Sequence, residues 1–144
     1  MKVKLGTLTP GYSSLALALF ASGVSAGFPS PADDYIEDCI DLNKHLIKRP
    51  AATFFARANG DSLTEIGIKD GDLLIIDRSL TSIHGDVVIV ALDGELTCKM
   101  LDLKKQQLIA ANSLYAPISI TQDMEVLVEG VVTHSIRYHR DRTG

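Results

Sequence analysis

The sequence predicts a small, mainly β domain with a short apolar arm at its N-terminus. Three observations lead there. Asp86-Val87-Val88-Ile89-Val90-Ala91-Leu92 is β-branched or apolar at successive positions, as a central strand covered on both faces should be. Asp93-Gly94 follows at once, the dipeptide of a two-residue type I′ hairpin, which makes Glu95–Leu101 the expected return strand. The other apolar runs of the body are short and bounded by turn residues, as in Gly67-Ile68-Lys69-Asp70-Gly71-Asp72.

The elements follow in chain order. From Leu5 to Ala32 there is no charged residue. Leucines and alanines alternate through Leu15–Ala21, a run too short to decide between strand and helix. Pro29-Ser30-Pro31 then bars a helix interior, and with Gly23 and Gly27 before it the strip reads as an extended, accessible linker. The chain therefore divides near residue 30 into an arm, 1–30, and a body, 31–144. In the body, Asp41 or Asn43 can cap one helical turn through His45-Leu46, ended before Pro50. Strands are expected at Thr53–Ala58, Leu73–Asp77, Gln107–Ala111 and Val126–His134, besides the central hairpin.

Composition excludes several classes of function. The chain of 144 residues carries a net −4, and residues 33–132 hold 9 Lys/Arg against 17 Asp/Glu. An acidic body is unsuited to direct binding of duplex DNA, which needs a basic face to displace counterions. Cys39 and Cys98 are too few for a disulfide scaffold or a zinc site, and His45, His84, His134 and His139 lack metal-ligand spacing. No metal and no cofactor is expected.

Two residues carry the candidate chemistry. Ser62 lies in Asn59-Gly60-Asp61-Ser62-Leu63, on a glycine-bearing turn after an apolar run. Lys99 falls in the middle of the return strand, in the apolar company of Leu96-Thr97-Cys98-Lys99-Met100-Leu101. A serine hydroxyl needs a base to become a nucleophile, and a lysine can be that base only when burial suppresses its charge. The backbone N–H groups of Asp61 and Ser62 could then form an oxyanion hole. By residue type alone the ordinary reading is a turn serine and a strand lysine whose head reaches water. Gly60-Asp61-Ser62-Leu63 also spells the nucleophile block of GDSL esterases, but the Asp-x-x-His partner of those enzymes occurs nowhere in this chain.

From Ser25 to His134 the chain resembles the UmuD/MucA group of the LexA-type self-cleaving proteins. The resemblance rests on Ala26-Gly27-Phe28-Pro29-Ser30-Pro31-Ala32, Asn59–Leu63, Gly67–Leu74, His84-Gly85-Asp86-Val87-Val88, Gly94–Lys99, Asn112-Ser113-Leu114-Tyr115-Ala116-Pro117-Ile118 and Gly130-Val131-Val132, in that order and spacing. It implies a LexA C-terminal-like peptidase fold with a flexible N-terminal arm. It places the nucleophile on Ser62, the general base on Lys99 and the scissile bond at Ala26-Gly27. It further implies a homodimer, activation by the RecA–single-stranded DNA filament, and assembly of the trimmed form with a UmuC-type Y-family polymerase for translesion synthesis in the SOS response. Two positions depart from the family pattern: Leu63 stands where methionine is usual, and Met100 where a basic residue is common.

Two alternatives accompany this reading. The first 26 residues imitate a secretory signal, with Lys2 and Lys4, the apolar Leu15–Ala21, and Val24-Ser25-Ala26 before the same Ala26-Gly27 bond. Pro10-Gly11 interrupts that signal, the run is too short to span a membrane, and the body resembles a cytosolic family, so a cytoplasmic protein is expected. The other alternative is a polymerase-binding module whose dyad is vestigial. A transcriptional repressor is disfavoured because the arm is too short, and past Lys4 too poor in charge, to be a helix-turn-helix domain with phosphate-contacting basic residues.

Overall fold

The computed structural model of the chain describes residues 2–7, 16–20 and 36–140. The chain divides into two compact units, Thr9–Lys48 and the remainder. The expected arm boundary near residue 30 and the Ala26-Gly27 bond lie outside the described residues.

In the smaller unit, β2 (Ala16–Phe20) pairs antiparallel with β3 (Ile36–Asp41), Leu17 standing opposite Ile40. The alternating Leu/Ala run is therefore a strand. Nothing in the sequence reading anticipated β3, whose three carboxylates (Glu37, Asp38, Asp41) obscure its apolar positions. The single helical turn forms as α1 (Leu42–Leu46), capped by Asp41, whose carboxylate accepts from the Asn43 N–H at 3.1 Å.

The larger unit is an eight-stranded sheet. In chain order its strands are β1 (Lys2–Thr7), β4 (Thr53–Asn59), β5 (Leu73–Asp77), β6 (Val87–Leu92), β7 (Glu95–Asp102), β8 (Gln107–Ile109), β9 (Ile118–Ser119) and β10 (Val126–Ile136). In space the order is β1-β4-β5-β10-β6-β7-β8-β9, and all the pairings are antiparallel. Lys2 of β1 also pairs with Thr97 of β7, so the sheet curls back on itself. The arm's first residues thus form a strand along β4, an element the sequence reading did not foresee.

The expected mainly β architecture is present. β6 is central, and Val88, Ile89 and Val90 are all fully covered. Ile89 joins a core with Phe54, Leu63, Leu74, Ile76 and Cys98; Val88 and Val90 join a second core with Leu101, Leu108 and Val131. Both faces of β6 are therefore buried, as its uninterrupted apolar run requires. Asp93 and Gly94 have φ of 48° and 83°, the positive pair that a type I′ hairpin demands. β10 is two residues longer than expected, because Ser135 and Ile136 continue the ladder with Leu74 and Leu73. β8 is two residues shorter, and the Ala111 carbonyl instead accepts from the Glu65 N–H at 2.7 Å, beside Ser62. Among the described residues no helix is long and apolar enough to cross a membrane.

Candidate active site

Ser62 is set in a turn fixed at both ends. β4 delivers Asn59, and Gly60 turns the chain with φ of 108°, a conformation glycine adopts without a Cβ penalty. Its N–H donates to Asp70 Oδ1 at 2.8 Å. Leu63, on the far side of Ser62, is fully buried in the first core. Its carbonyl accepts from the N–H groups of Ile66 and Ile68, both at 3.2 Å. A 3₁₀ turn, Thr64–Ile66, follows and ends on left-handed Gly67.

A second loop is bonded onto this turn. Asn112 Nδ2 donates to the Asp61 carbonyl at 2.8 Å, and Ser113 N–H donates to Glu65 Oε1 at 2.9 Å. Tyr115 Oη donates to Asp61 Oδ1 at 2.6 Å. Asp61 thus holds the second loop through both its backbone and its side chain. The acidic acceptor raises the Tyr115 phenol above its ordinary pKa and keeps it protonated.

Lys99 stands on β7 directly opposite Val88 and is 8% exposed. Its Nζ lies 5.8 Å from the centroid of the Tyr115 ring. Cys98 beside it is fully buried, and burial pushes that thiol up to about 12, so it stays neutral. One tyrosine therefore lies between the two segments: its hydroxyl is bonded to the residue before Ser62, and its ring faces the Lys99 amine.

Ser62 is 2% exposed, and among the described residues its Oγ is the buried side-chain polar atom that has no hydrogen-bond partner. It is not bonded to Lys99 Nζ. A buried hydroxyl without a partner forfeits its hydration, and such outliers concentrate where a substrate or a moving group completes the site. Neither the Asp61 nor the Ser62 backbone N–H donates to a protein group among the described residues. Lys99 faces the Tyr115 ring, and the turn that carries Ser62 is bonded through Asp61 to Tyr115 and Asn112. Those last two residues lie in a stretch quoted for the family resemblance, but no spacing rule marked them, since their roles depend on a contact across 50 residues. Among the described residues no group of His, Cys, Asp and Glu could hold a metal ion.

Residues 18–133 match the profile of the Peptidase S24-like family. The chain belongs to that family. Protein ImpA of Escherichia coli is 45% identical over 132 residues, which span 92% of this chain and 90% of ImpA. Protein MucA of Salmonella typhimurium is 38% identical over 126 residues, 86% of each chain. The LexA repressor of Alcanivorax borkumensis is 35% identical over 117 residues, which are 79% of this chain and 56% of the repressor. The UmuD/MucA-type resemblance and the LexA C-terminal-like fold expected from the sequence are both borne out, and the chain is of the serine peptidase kind.

Proposed function

We propose that this chain cleaves its own leader at Ala26-Gly27, with Ser62 as nucleophile and Lys99 as general base. Ser62 Oγ attacks the carbonyl carbon of Ala26 while its proton passes to Nζ, giving a tetrahedral oxyanion that the Asp61 and Ser62 N–H groups face. Nζ then returns the proton to the nitrogen of Gly27 as the peptide bond breaks, leaving an ester on Ser62 that water hydrolyses. The observation that carries this reading is the buried, partnerless Ser62 Oγ on a turn bonded to the loop that contacts Lys99.

Resemblance supplies the wider setting. The protein acts in the cytoplasm as a homodimer, the RecA–single-stranded DNA filament triggers cleavage, and the trimmed form serves a UmuC-type Y-family polymerase in translesion synthesis. Intact mass before and after addition of RecA, nucleotide and single-stranded DNA tests bond, activity and trigger together. The expected product begins at Gly27, and its absence from Ser62→Ala and Lys99→Ala chains assigns the two roles. Full-length chain persisting where a LexA control is cut overturns the reading. A second reading, a polymerase-binding module with an idle dyad, draws on one observation: Ser62 and Lys99 are not hydrogen-bonded to each other.

A further inference from the structure

The peptide that joins Asp61 to Ser62 is tied down on one side and open on the other. Its carbonyl accepts twice, from Asn112 Nδ2 at 2.8 Å and from the Thr64 N–H at 3.3 Å. Its N–H, that of Ser62, donates to no protein group among the described residues. The peptide is trans and planar, so the two groups point in opposite directions and a bond to one fixes the aim of the other. We propose that Asn112 is a positioning residue for the cleavage: it sets the plane of this peptide and so aims the Ser62 N–H at the oxyanion. This rests on the self-cleavage reading given above and names the side chain that prepares its oxyanion donor.

The Asn112 amide has one orientation that satisfies both of its ends. Its Oδ1 accepts from the Leu114 N–H at 2.9 Å, an Asx turn that shapes the loop, and this leaves Nδ2 to face the Asp61 carbonyl. The loop is anchored beside it by two other bonds. The Glu65 N–H donates to the Ala111 carbonyl at 2.7 Å, and the Ser113 N–H donates to Glu65 Oε1 at 2.9 Å. Asn112 is therefore delivered to Asp61 by a loop that does not depend on it. The Thr64 bond is the longer of the two on that carbonyl and belongs to the turn itself, so it moves with any rocking of the turn. Asn112 ties the same plane to a separate segment and stops the rocking. An oxyanion donor stabilises the transition state only in so far as it already points where charge will develop, and a plane that must first rotate forfeits part of that stabilisation.

The test compares Asn112→Ser and Glu65→Ala in the full-length chain, following cleavage at Ala26-Gly27 by intact mass after RecA, nucleotide and single-stranded DNA are added. Asn112→Ser keeps an oxygen for the Leu114 N–H, adds no charge and is too short to reach Asp61. It should slow cleavage about tenfold to a hundredfold, somewhat less than deleting an oxyanion donor outright. Glu65→Ala frees the same loop at Ser113 but leaves the Asp61 carbonyl bonded, so it should slow cleavage far less. Equal losses in the two variants, or an Asn112→Ser chain as fast as the parent, overturn the proposal and leave Asn112 a loop anchor. Should Asn112→Ser fail to fold, Asn112→Asp makes the same comparison, since it keeps the acceptor and loses the donor. A second readout needs neither leader nor filament. With an alkyl fluorophosphonate, Ser62 Oγ bonds to phosphorus, the P–F bond breaks to release fluoride, and the serine proton passes to Lys99 Nζ, while charge builds on the phosphoryl oxygen in the same hole. Labelling of Ser62, read by mass, should slow in Asn112→Ser by a similar factor. The label decides where cleavage does not occur. If the parent never shortens yet its labelling falls in this way, self-cleavage fails and the aimed N–H stands; labelling equal in parent and variant sinks the aimed N–H, and a parent that neither shortens nor takes the label sinks both.

Discussion

Lys99 pairs directly with Val88 across the β6–β7 ladder, and both side chains are buried. A lysine in such a register position is a stability liability, since desolvating an ammonium costs free energy that its neighbours must offset. Its place there is accounted for by the chemistry proposed for it. Lys99→Met keeps the unbranched stem and removes the amine. The variant should unfold at the parent's temperature or a few degrees above it in calorimetry, and should never release its leader. A methionine chain that still shortens would take the general-base role away from Lys99.

Gly130 shows where the fold tolerates no side chain. It sits at a register shift between β10 and β6, and a Cβ built there would meet Ile76 Cγ2 at 2.5 Å and Phe54 Cε1 at 3.2 Å. Ile76 is fully buried and cannot move aside freely. Gly130→Ala should destabilise the chain by about 1–3 kcal/mol through overpacking. Urea unfolding measures this, and an unchanged midpoint would show that β10 can shift to absorb the methyl.

The sequence revealed most of the larger unit, because its signals are local. A buried strand followed by Asp93-Gly94 defines a hairpin without help from elsewhere, and Asp41 caps α1 with an atom two residues away. Ser62 and Lys99 could be named because the family resemblance falls on them; their local sequence alone reads as a turn serine and a strand lysine. What was not legible is set by distant contacts. β1 is a strand only because the edge of β4 accepts it, residue by residue from Lys2↔Asn59 to Thr7↔Phe54. Tyr115 matters only because the fold lays it between Asp61 and Lys99, and no period or spacing encodes that.

The two thiols should separate cleanly. Cys98 is fully buried and its thiol is pushed to about 12, whereas Cys39 is exposed. Thiolate, not thiol, reacts with disulfide reagents, so Cys98 should stay silent in the native chain well above neutral pH. Titration with an aromatic disulfide reagent should therefore give one reactive thiol per native chain and two in denaturant. Two fast thiols in the native state would mean that β7 opens readily to solvent.

Arg137, just past β10, grips the turn that follows the Ser62 segment. Its Nη2 and Nε donate to the two Asp72 oxygens at 2.9 and 3.2 Å, and Nη2 also donates to the Gly67 carbonyl. Burial alone would raise the Asp72 carboxyl; the Arg137 hydrogen bonds, the Lys69 N–H and the guanidinium charge outweigh it and hold the group below its ordinary value of 3.8. A carboxyl depressed on folding contributes stability that is fully present above its unfolded pKa and is lost as pH falls through the folded one. Asp72→Asn should cost about 1–3 kcal/mol at neutral pH, because it removes the charge and leaves Arg137 poorly matched. Below about pH 4 the parent progressively loses its advantage as its own carboxyl protonates. Urea midpoints of parent and variant should therefore converge between pH 7 and strongly acidic pH. A gap that is the same at both ends would show that the stabilisation comes from packing and not from the ion pair.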